Sequence, residues 1–230
     1  MSTTSIQDEI AVQLDAESVE KTLSIVELIK SGGLAGQLII ALLSVLLIVA
    51  LYIYFERLFT IKAASKVDPN FMNQIKDHVV NGKIEAAKAV CAQVNSPVSR
   101  LIDKGISRIG RPLADINSAI ENAGKLEVYS LEKNVSILAT ISGAAPMIGF
   151  LGTVIGMILS IFEIANSGGQ IDIKLLADGL YTAMTTTVAG LVVGIVSYIA
   201  FNHLVGRTNK VVYQMEANSV EFLDLLNEPI

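Results

Sequence analysis

The stretch LEKNVSILATISGAAPMIGFLGTVIGMILSIF (residues 131–162) decides the fold. After Lys133 it carries no charged residue until Glu163, which leaves a run of 29 uncharged residues. Because about 20 helical residues span the ~30 Å hydrocarbon core of a bilayer, the run predicts a membrane-spanning helix with length to spare. It also contains Pro146 and four glycines, which a simple membrane anchor does not need.

Two further uncharged runs predict two further spans. Residues 34–55 form the first, and Tyr52, Tyr54 and Phe55 lie at its far end like interfacial anchors. Residues 179–202 form the third. The predicted fold class is therefore an all-α membrane protein with three transmembrane helices, of which the second and third are long and extend into a helical region outside the bilayer.

The charge distribution predicts the domain order and orientation. Of the 17 Lys and Arg residues, 12 lie in residues 56–133, so the positive-inside rule places that region in the cytoplasm and both the N-terminus and the second loop outside. The predicted order is a periplasmic tail with an amphipathic helix (1–33), transmembrane helix 1 (34–57), a cytoplasmic helical region (58–133), transmembrane helix 2 (134–165), a periplasmic turn (166–174), transmembrane helix 3 (175–205) and a cytoplasmic C-terminal helix (206–230).

The cytoplasmic region is predicted to contain short helices that end in a long one. Turn signals at residues 81–82 and 96–97 separate the short helices. Pro112 suits the first turn of the next helix. No breaker follows until Pro146, so we expect one unbroken helix over residues 113–165, about 80 Å long at 1.5 Å per residue.

Composition excludes several classes of function. A net charge of −5 argues against nucleic-acid binding. The single cysteine, Cys91, has no CxxC partner and cannot form a disulfide within the chain, so we expect a small buried residue on a helix. No nucleophile–base pair or metal-ligand constellation is apparent. We therefore predict no catalytic residue, no metal site, no cofactor and no enzymatic activity.

Charged and titratable residues lie near the ends of the predicted spans. Glu56 and Arg57 stop the first span, and we expect them to pair with lipid headgroups or with a neighbouring subunit. Glu163 lies near the outer end of the second helix, where it is expected at headgroup level or in a vestibule that admits protons. His78 and His203 lack ligand spacing, and the sequence assigns them no role.

The second span carries small or hydroxylated residues at steps of four and three. The row consists of Ser142, Pro146, Gly149, Thr153, Gly156 and Ser160. Small residues let membrane helices approach closely, and the pattern GxxxG recurs in both later spans. On spacing alone this favours helix packing over a pore. The residues predicted to pack are Gly149, Gly152, Gly156, Gly190, Gly194 and Pro146.

The third span adds a cluster of hydroxyls, while the membrane cores of both later spans contain no Asp, Glu, Lys, Arg or His. Thr182, Thr185, Thr186 and Thr187 occupy most of one helical turn, so some must bond to carbonyls, to another helix or to water. A proton pathway normally shows a titratable residue inside the membrane. Either this chain does not move protons, or a partner supplies the carboxylate.

These motifs together resemble a known family. APMIGFLGTVIGMI (residues 145–158) follows LEKNVSILATIS (131–142) and precedes DGLYTAMTTTVAGLVVGI (178–195). The combination resembles the MotA/TolQ/ExbB proton-channel family. Three spans with an external N-terminus are similar to the ExbB/TolQ branch, whereas MotA-type flagellar stators have four.

The resemblance implies a partner system in the bacterial inner membrane. Members look like homopentamers whose second and third helices line a pore around an ExbD/TolR-like dimer of single-span proteins that carries a membrane aspartate. A TonB- or TolA-like protein receives the motion. Thr153 and Thr187 match the family's pore threonines, and Thr182 stands where many members have glutamate. The predicted proton-pathway residues are Thr153, Thr187, Thr182, Thr186 and Ser160.

The leading hypothesis is a proton-channel stator that energises TonB- or Tol-dependent processes at the outer membrane. One alternative is a MotA-like stator that drives gliding or another rotary device. Another is a scaffold that packs partner helices without conducting. A small-solute transporter is disfavoured, because its characteristic broken-helix repeats are absent from the sequence.

Overall fold

The computed structural model describes residues 33–66, 68–166 and 173–227, and this part of the chain contains α-helices and no strand. The seven helices are α1 (Gly33–Ala64), α2 (Phe71–Val80), α3 (Ile84–Gln93), α4 (Pro97–Ile106), α5 (Leu113–Glu132), α6 (Val135–Asn166) and α7 (Ile173–Asn227). The all-α prediction is confirmed. The predicted amphipathic helix of the N-terminal tail and the middle of the predicted turn lie outside the described residues.

Within the described residues, three helices are long and apolar enough to cross a membrane. Their candidate spans are Ala35–Ala64, Val135–Asn166 and Gly179–Asn227. Large apolar side chains such as Leu38 and Phe150 are exposed on the single chain, as expected of surfaces that meet lipid or another subunit. The prediction of three transmembrane helices is thereby confirmed, while the side of the membrane on which each helix ends stays a prediction.

The third span and the predicted C-terminal helix are one element. Helix α7 runs without a break over 55 residues, or about 80 Å at 1.5 Å per residue. The predicted boundary at residues 205–206 therefore does not separate two helices. The predicted extension of this span beyond the bilayer is confirmed.

The predicted unbroken helix over residues 113–165 is wrong, because the chain bends at Lys133–Asn134. Lys133 leaves the helix with φ −51° and ψ 130°, and Asn134 adopts the left-handed region with φ 63°. Asparagine tolerates this region better than most residues. The Asn134 carbonyl then accepts the Ile137 N–H at 3.2 Å, which begins α6. We call these two residues the elbow.

Helices α2, α4 and α5 pack against the C-terminal part of α7. Together with α3, these segments (residues 71–132 and 206–227) form what we call the helical domain. Its buried apolar core includes Phe71, Ile75, Ile102, Ile106, Ile120, Val211, Met215 and Phe222. Gly105 marks where three helices meet, since an added Cβ there would lie 2.6 Å from Phe222 Cε1 and 2.8 Å from Ile120 Cδ1.

Local sequence signals position the short helices as expected. The turn predicted at residues 96–97 is the start of α4, where Ser96 Oγ accepts the Ser99 N–H at 3.1 Å.

Cys91 is buried in α3, which confirms the prediction of a small buried residue on a helix. Burial, with a smaller contribution from Asp103, raises the pKa of its thiol to about 12. The thiol therefore stays protonated at neutral pH and is structural.

Candidate functional site

Helices α6 and α7 touch backbone to backbone along a surface that we call the seam. A Cβ added to Gly190 would lie 2.6 Å from the Ala145 carbonyl oxygen and 2.9 Å from Gly149 Cα. Both neighbours are main-chain atoms, so they cannot move aside as a side chain would. Glycine at both positions lets the two helices approach this closely.

The remaining predicted packing residues also lie in the seam. An added Cβ would lie 2.6 Å from Pro146 Cγ at Gly194, and 2.5 Å from Thr186 Oγ1 at Gly152. At Gly156 it would lie 3.3 Å from the Ala183 Cβ. The small-residue row of the second span thus faces the third span, and the helices fit without a gap for a larger side chain.

The structure brings together the two threonines that match the family motif. Thr153 Oγ1 on α6 contacts Thr187 Oγ1 on α7 within hydrogen-bond range. Thr153 Oγ1 also lies 2.8 Å from the Ala183 carbonyl oxygen, and Thr187 Oγ1 lies 3.3 Å from the Gly149 carbonyl oxygen. Both threonines are half-buried, so the pair remains reachable from one side of the seam.

The geometry limits the acceptors to which each hydroxyl of this pair can donate. Each hydroxyl has one proton to donate and can accept from others. When Thr153 donates to the Ala183 carbonyl, the Thr187 proton is free to point to Thr153 or to the Gly149 carbonyl. The Thr187 hydroxyl therefore has two acceptors at hand and can switch between them by rotation.

The other three predicted pathway hydroxyls are buried at packing positions. Thr186 is 0% exposed and donates to the Ala183 carbonyl at 2.9 Å. Ser160 donates to the Gly156 carbonyl at 2.9 Å. Thr182 is buried too, with its methyl facing α1, 2.7 Å from where a Cβ on Gly36 would lie.

Sequence reasoning missed the role of Arg57. Its guanidinium donates to the Glu56 carboxylate at 2.9 and 2.6 Å and to the Ser130 carbonyl at 3.1 Å. Arg57 is 7% exposed, so the expected contact with lipid headgroups or a neighbouring subunit is wrong for this residue. Arg57 instead donates to a carbonyl in the last turn of α5, beside the elbow. This partner lies 73 positions away in sequence, and no local motif predicts it.

A second missed contact joins α1 to α7. Tyr54 Oη lies 2.9 Å from His203 Nδ1, and Arg207 Nε donates to His203 Nε2 at 3.4 Å. Either Tyr54 Oη or His203 Nδ1 can donate in the first contact, according to the tautomer of the ring. His203, to which the sequence assigned no role, therefore ties the end of the first span to the third.

The chemistry available at the seam is hydrogen bonding. Between residues 134 and 162, and again between 179 and 202, the sequence has no ionisable side chain of the Asp, Glu, Lys, Arg or His type. Among the described residues, no group of three or more His, Cys, Asp or Glu could hold a metal ion. The seam can therefore donate to or accept from a proton carrier, but it does not carry the proton on a charged side chain of its own.

Comparison with known proteins gives this arrangement a context. The profile of the MotA/TolQ/ExbB proton channel family matches residues 93–217, which is more than half of the chain. The matched range contains every residue named in the seam. The chain belongs to the MotA/TolQ/ExbB proton channel family. This is a family of channels rather than enzymes, and the three candidate spans make the chain a multi-pass membrane protein.

Individual relatives point to the ExbB/TolQ branch. A putative biopolymer transport protein ExbB homolog of Methanothermobacter thermautotrophicus is 27% identical over 84% of this chain and 67% of its own length. The biopolymer transport protein ExbB of Helicobacter pylori is 39% identical over 34% of this chain and 54% of its own length. The Tol-Pal system protein TolQ of Haemophilus influenzae is 33% identical over 52% of this chain. The chain thus spans about half to two thirds of the length of these MotA/TolQ/ExbB relatives.

Proposed function

We propose that this chain is the proton-channel stator subunit of an ExbB/TolQ-type motor in the bacterial inner membrane. The motor uses the proton motive force to energise TonB- or Tol-dependent processes at the outer membrane. One observation carries the proposal: Thr153 and Thr187 bond to each other across a seam between two spans that contain no Asp, Glu, Lys, Arg or His. This pair is a suitable contact for a carboxyl group that a partner brings into the membrane.

The threonine pair suits both protonation states of such a carboxyl. An ionised carboxylate only accepts hydrogen bonds, and Thr187 can rotate its proton from the Gly149 carbonyl toward it. A protonated carboxyl donates, and the Thr153 or Thr187 oxygen can accept. The pair therefore stabilises the carboxyl before and after it takes up a proton, which lets that group change its protonation state inside the bilayer.

The complex is proposed to be a homopentamer whose second and third helices surround an ExbD/TolR-like dimer. That dimer supplies the membrane aspartate, and a TonB- or TolA-like protein receives the motion. Within the pore wall we assign contact with the carboxyl to Thr153 and Thr187. We assign packing of the wall to Thr182, Thr186 and Ser160, because these three are buried within the single chain.

The proposed orientation follows from the distribution of Lys and Arg. We propose that the N-terminus is outside and that the helical domain and C-terminus are cytoplasmic, because 12 of the 17 Lys and Arg residues lie between residues 56 and 133. Each proton that crosses the membrane then releases about 2.3 kcal/mol per 100 mV of membrane potential. Several protons per step would supply useful mechanical work.

Co-reconstitution tests the proposal. The full chain is placed in vesicles with a single-span ExbD/TolR-like partner, and proton uptake is followed with a pH-sensitive dye under an imposed potential. We expect flux with both proteins, and background flux when the partner's membrane aspartate is changed to asparagine. This chain alone is the second control.

A non-conducting scaffold is the other candidate, and the backbone contacts of the seam favour it because they serve packing alone. The same experiment separates the two functions. If the two proteins co-purify as a stable complex but the flux is indifferent to the partner's aspartate, the scaffold is correct and the channel proposal fails.

A further inference from the structure

We propose that a groove in the helical domain binds the basic, amphipathic segment at the cytoplasmic end of the partner's membrane span. This inference rests on the proposed function, which supplies the single-span partner and the cytoplasmic side of the helical domain. The groove has a volume of about 550 Å³ and lies between residues 117–132 of α5 and residues 212–223 of α7. Leu101 of α4 is buried and lies at its floor.

The walls of the groove are largely apolar. Ile120 and Val128 belong to the α5 wall, and Met215 belongs to the α7 wall. Tyr129 and Val220 also line the groove, and they are 76% and 58% exposed on the single chain. An apolar surface with a polar rim, in a domain that lies in water, is typical of a site that binds another molecule. The groove therefore fits the apolar face of a helix.

Gly124 keeps the groove open in the middle of α5. Glycine lowers the stability of a helix interior, and close contacts with other helices explain its presence at Gly105 and Gly149. At Gly124 an added Cβ would lie 3.6 Å from Leu101 Cδ2, which is an ordinary contact. No contact among the described residues therefore requires glycine here, and the missing side chain leaves room for an occupant from outside the chain.

The charges of the lining favour a basic occupant. Three carboxylates line the groove, on Glu121, Glu132 and Glu216, against one ammonium group, on Lys125. Lys125 pairs with Glu121 at 2.8 Å, whereas Glu132 and Glu216 are exposed and have no ion-pair partner among the described residues. Lys133 follows Glu132 in sequence but does not line the groove. The two unpaired carboxylates therefore attract Lys or Arg side chains beside an apolar helix face.

The groove continues the face of α7 that carries Thr187. Val212 lines the groove and follows Thr187 by 25 positions on the same helix. At 3.6 residues per turn, the two side chains lie about 20° apart around the helix axis. A partner helix that meets the Thr153–Thr187 pair inside the membrane would therefore face the groove after it leaves the bilayer.

The length of the groove matches the charged end of a membrane span. On α5 its lining runs from Asn117 to Glu132, which is about 22 Å at 1.5 Å per residue. A helix of this length has about 15 residues. The excess of Lys and Arg on the cytoplasmic side extends over about 15–20 residues beyond a span. We call this part of the partner its cytoplasmic flank, and its expected charge is the one that the lining attracts.

Photo-crosslinking within the complex tests the proposal. Tyr129→p-benzoylphenylalanine places the crosslinker in the groove lining. The full chain is co-expressed with the single-span ExbD/TolR-like partner, whose membrane aspartate is changed to asparagine. We expect a product of one chain and one partner, with the link mapped by peptide mass spectrometry to the cytoplasmic flank. Changing the Lys and Arg residues of the flank to glutamine should lower the yield about fivefold.

Variants of this chain test the two features of the groove separately, with yields compared at equal co-purification. The double variant Glu132→Lys/Glu216→Lys should lower the yield about fivefold, because repulsion replaces attraction. Gly124→Leu should lower it too, because the new side chain fills the groove. Glu221→Lys is the matched control, since Glu221 is an exposed carboxylate on α7 outside the lining, and its yield should be unchanged.

Three results would overturn the proposal. One is a link mainly between two copies of this chain, which would show that a second copy occupies the groove. The others are the absence of any link to the partner, and a yield that neither the double variant nor Gly124→Leu lowers. The crosslink needs no proton flux, because the partner's aspartate is replaced. Loss of flux with an intact crosslink would therefore contradict the channel proposal alone, and flux without a crosslink would contradict the groove proposal alone.

Discussion

The seam and the helical domain are held together in different ways. In the seam, Gly149 and Gly190 bring two backbones into contact, and the hydroxyls bond to main-chain carbonyls or to each other. In the helical domain, large side chains such as Phe222 fill the space between helices, and Arg100 pairs with Glu127 at 2.6 Å. The first region is built from small residues and the second from large ones.

The difference follows from the solvent of each region. Lipid tails are as apolar as a leucine side chain, so apolar burial does not drive spans together, and close contact and hydrogen bonds must do so. In water, burying apolar area is worth about 25 cal/mol per Å². The seam should therefore be sensitive to added atoms, and the helical domain to removed ones.

Removing a core side chain should have the largest effect. Phe222 is 0% exposed, and Phe222→Ala should destabilise the helical domain by about 3–5 kcal/mol, because it leaves a cavity. Chemical unfolding of the purified chain in detergent measures the change. Tyr213→Ala on the same helix is the control, since Tyr213 is 71% exposed and its loss should alter stability by less than about 0.5 kcal/mol. Equal effects would show that the helical domain does not depend on this core.

Adding one methyl group in each region should have the second-largest effect on stability. The cost should differ between the seam and the helical domain. Gly190→Ala meets main-chain atoms and should cost about 1–3 kcal/mol. Gly105→Ala meets the ends of the Phe222 and Ile120 side chains, which can shift, so its cost should be smaller. Thermal unfolding compares the two with Gly206→Ala, where no described atom outside the local helix lies within 4 Å of the added Cβ. A seam that tolerates Gly190→Ala as well as Gly206→Ala would contradict the backbone-contact account.

Breaking the threonine pair should have a moderate effect on stability. Thr153→Val and Thr187→Val should each cost about 1 kcal/mol, the usual net value of one hydrogen bond. Because the two hydroxyls bond to each other, the double variant should cost less than the sum of the two single ones. Thr185→Val is the control, because that hydroxyl bonds only one turn back, to the Tyr181 carbonyl at 2.9 Å. Strict additivity would mean that the pair is not coupled.

The smallest expected effect on stability at neutral pH is that of Cys91. Its raised pKa predicts that the thiol reacts slowly. The shift from 9.0 to about 12 lowers the thiolate fraction at pH 8 roughly a thousandfold. Since the folded-state pKa is the higher one, the associated stability is complete below pH 9.0 and is lost as the pH rises toward about 12.

Alkylation by iodoacetamide measures this directly. The exposed reference is Gln93→Cys in a Cys91→Ala background, on the last turn of the same helix. Cys91 should react far more slowly than the reference in the folded protein and at a similar rate after unfolding. Similar rates in the folded protein would show that the helical domain does not shield its thiol.

Much of the fold could be predicted because the signals are local. Uncharged runs that are long enough, as helices, to cross a bilayer predict the three spans. The GxxxG patterns indicate which faces of α6 and α7 carry small residues. The elbow could not be predicted in this way, since it depends on Asn134 in a left-handed conformation rather than on a proline or glycine.

The candidate site shows the same limit. Thr153 and Thr187 could be selected from a motif, but the burial of Thr182 and Thr186 depends on how three helices pack. Likewise, the partners of Arg57 and His203 lie 73 and 149 positions away in sequence. Contacts of this kind are set by tertiary packing, which periodicity within one helix does not encode.

The central claim is that the Thr153–Thr187 hydroxyl pair takes part in proton conduction, beyond its role in packing. Proton flux through vesicles that hold this chain and the proposed single-span partner tests it, with Thr153→Ser and Thr153→Val compared at equal complex assembly. Serine keeps the hydroxyl and loses a methyl, whereas valine keeps the shape and loses the hydroxyl. We predict that Thr153→Ser conducts and Thr153→Val does not. Equal flux in the two variants would contradict the account.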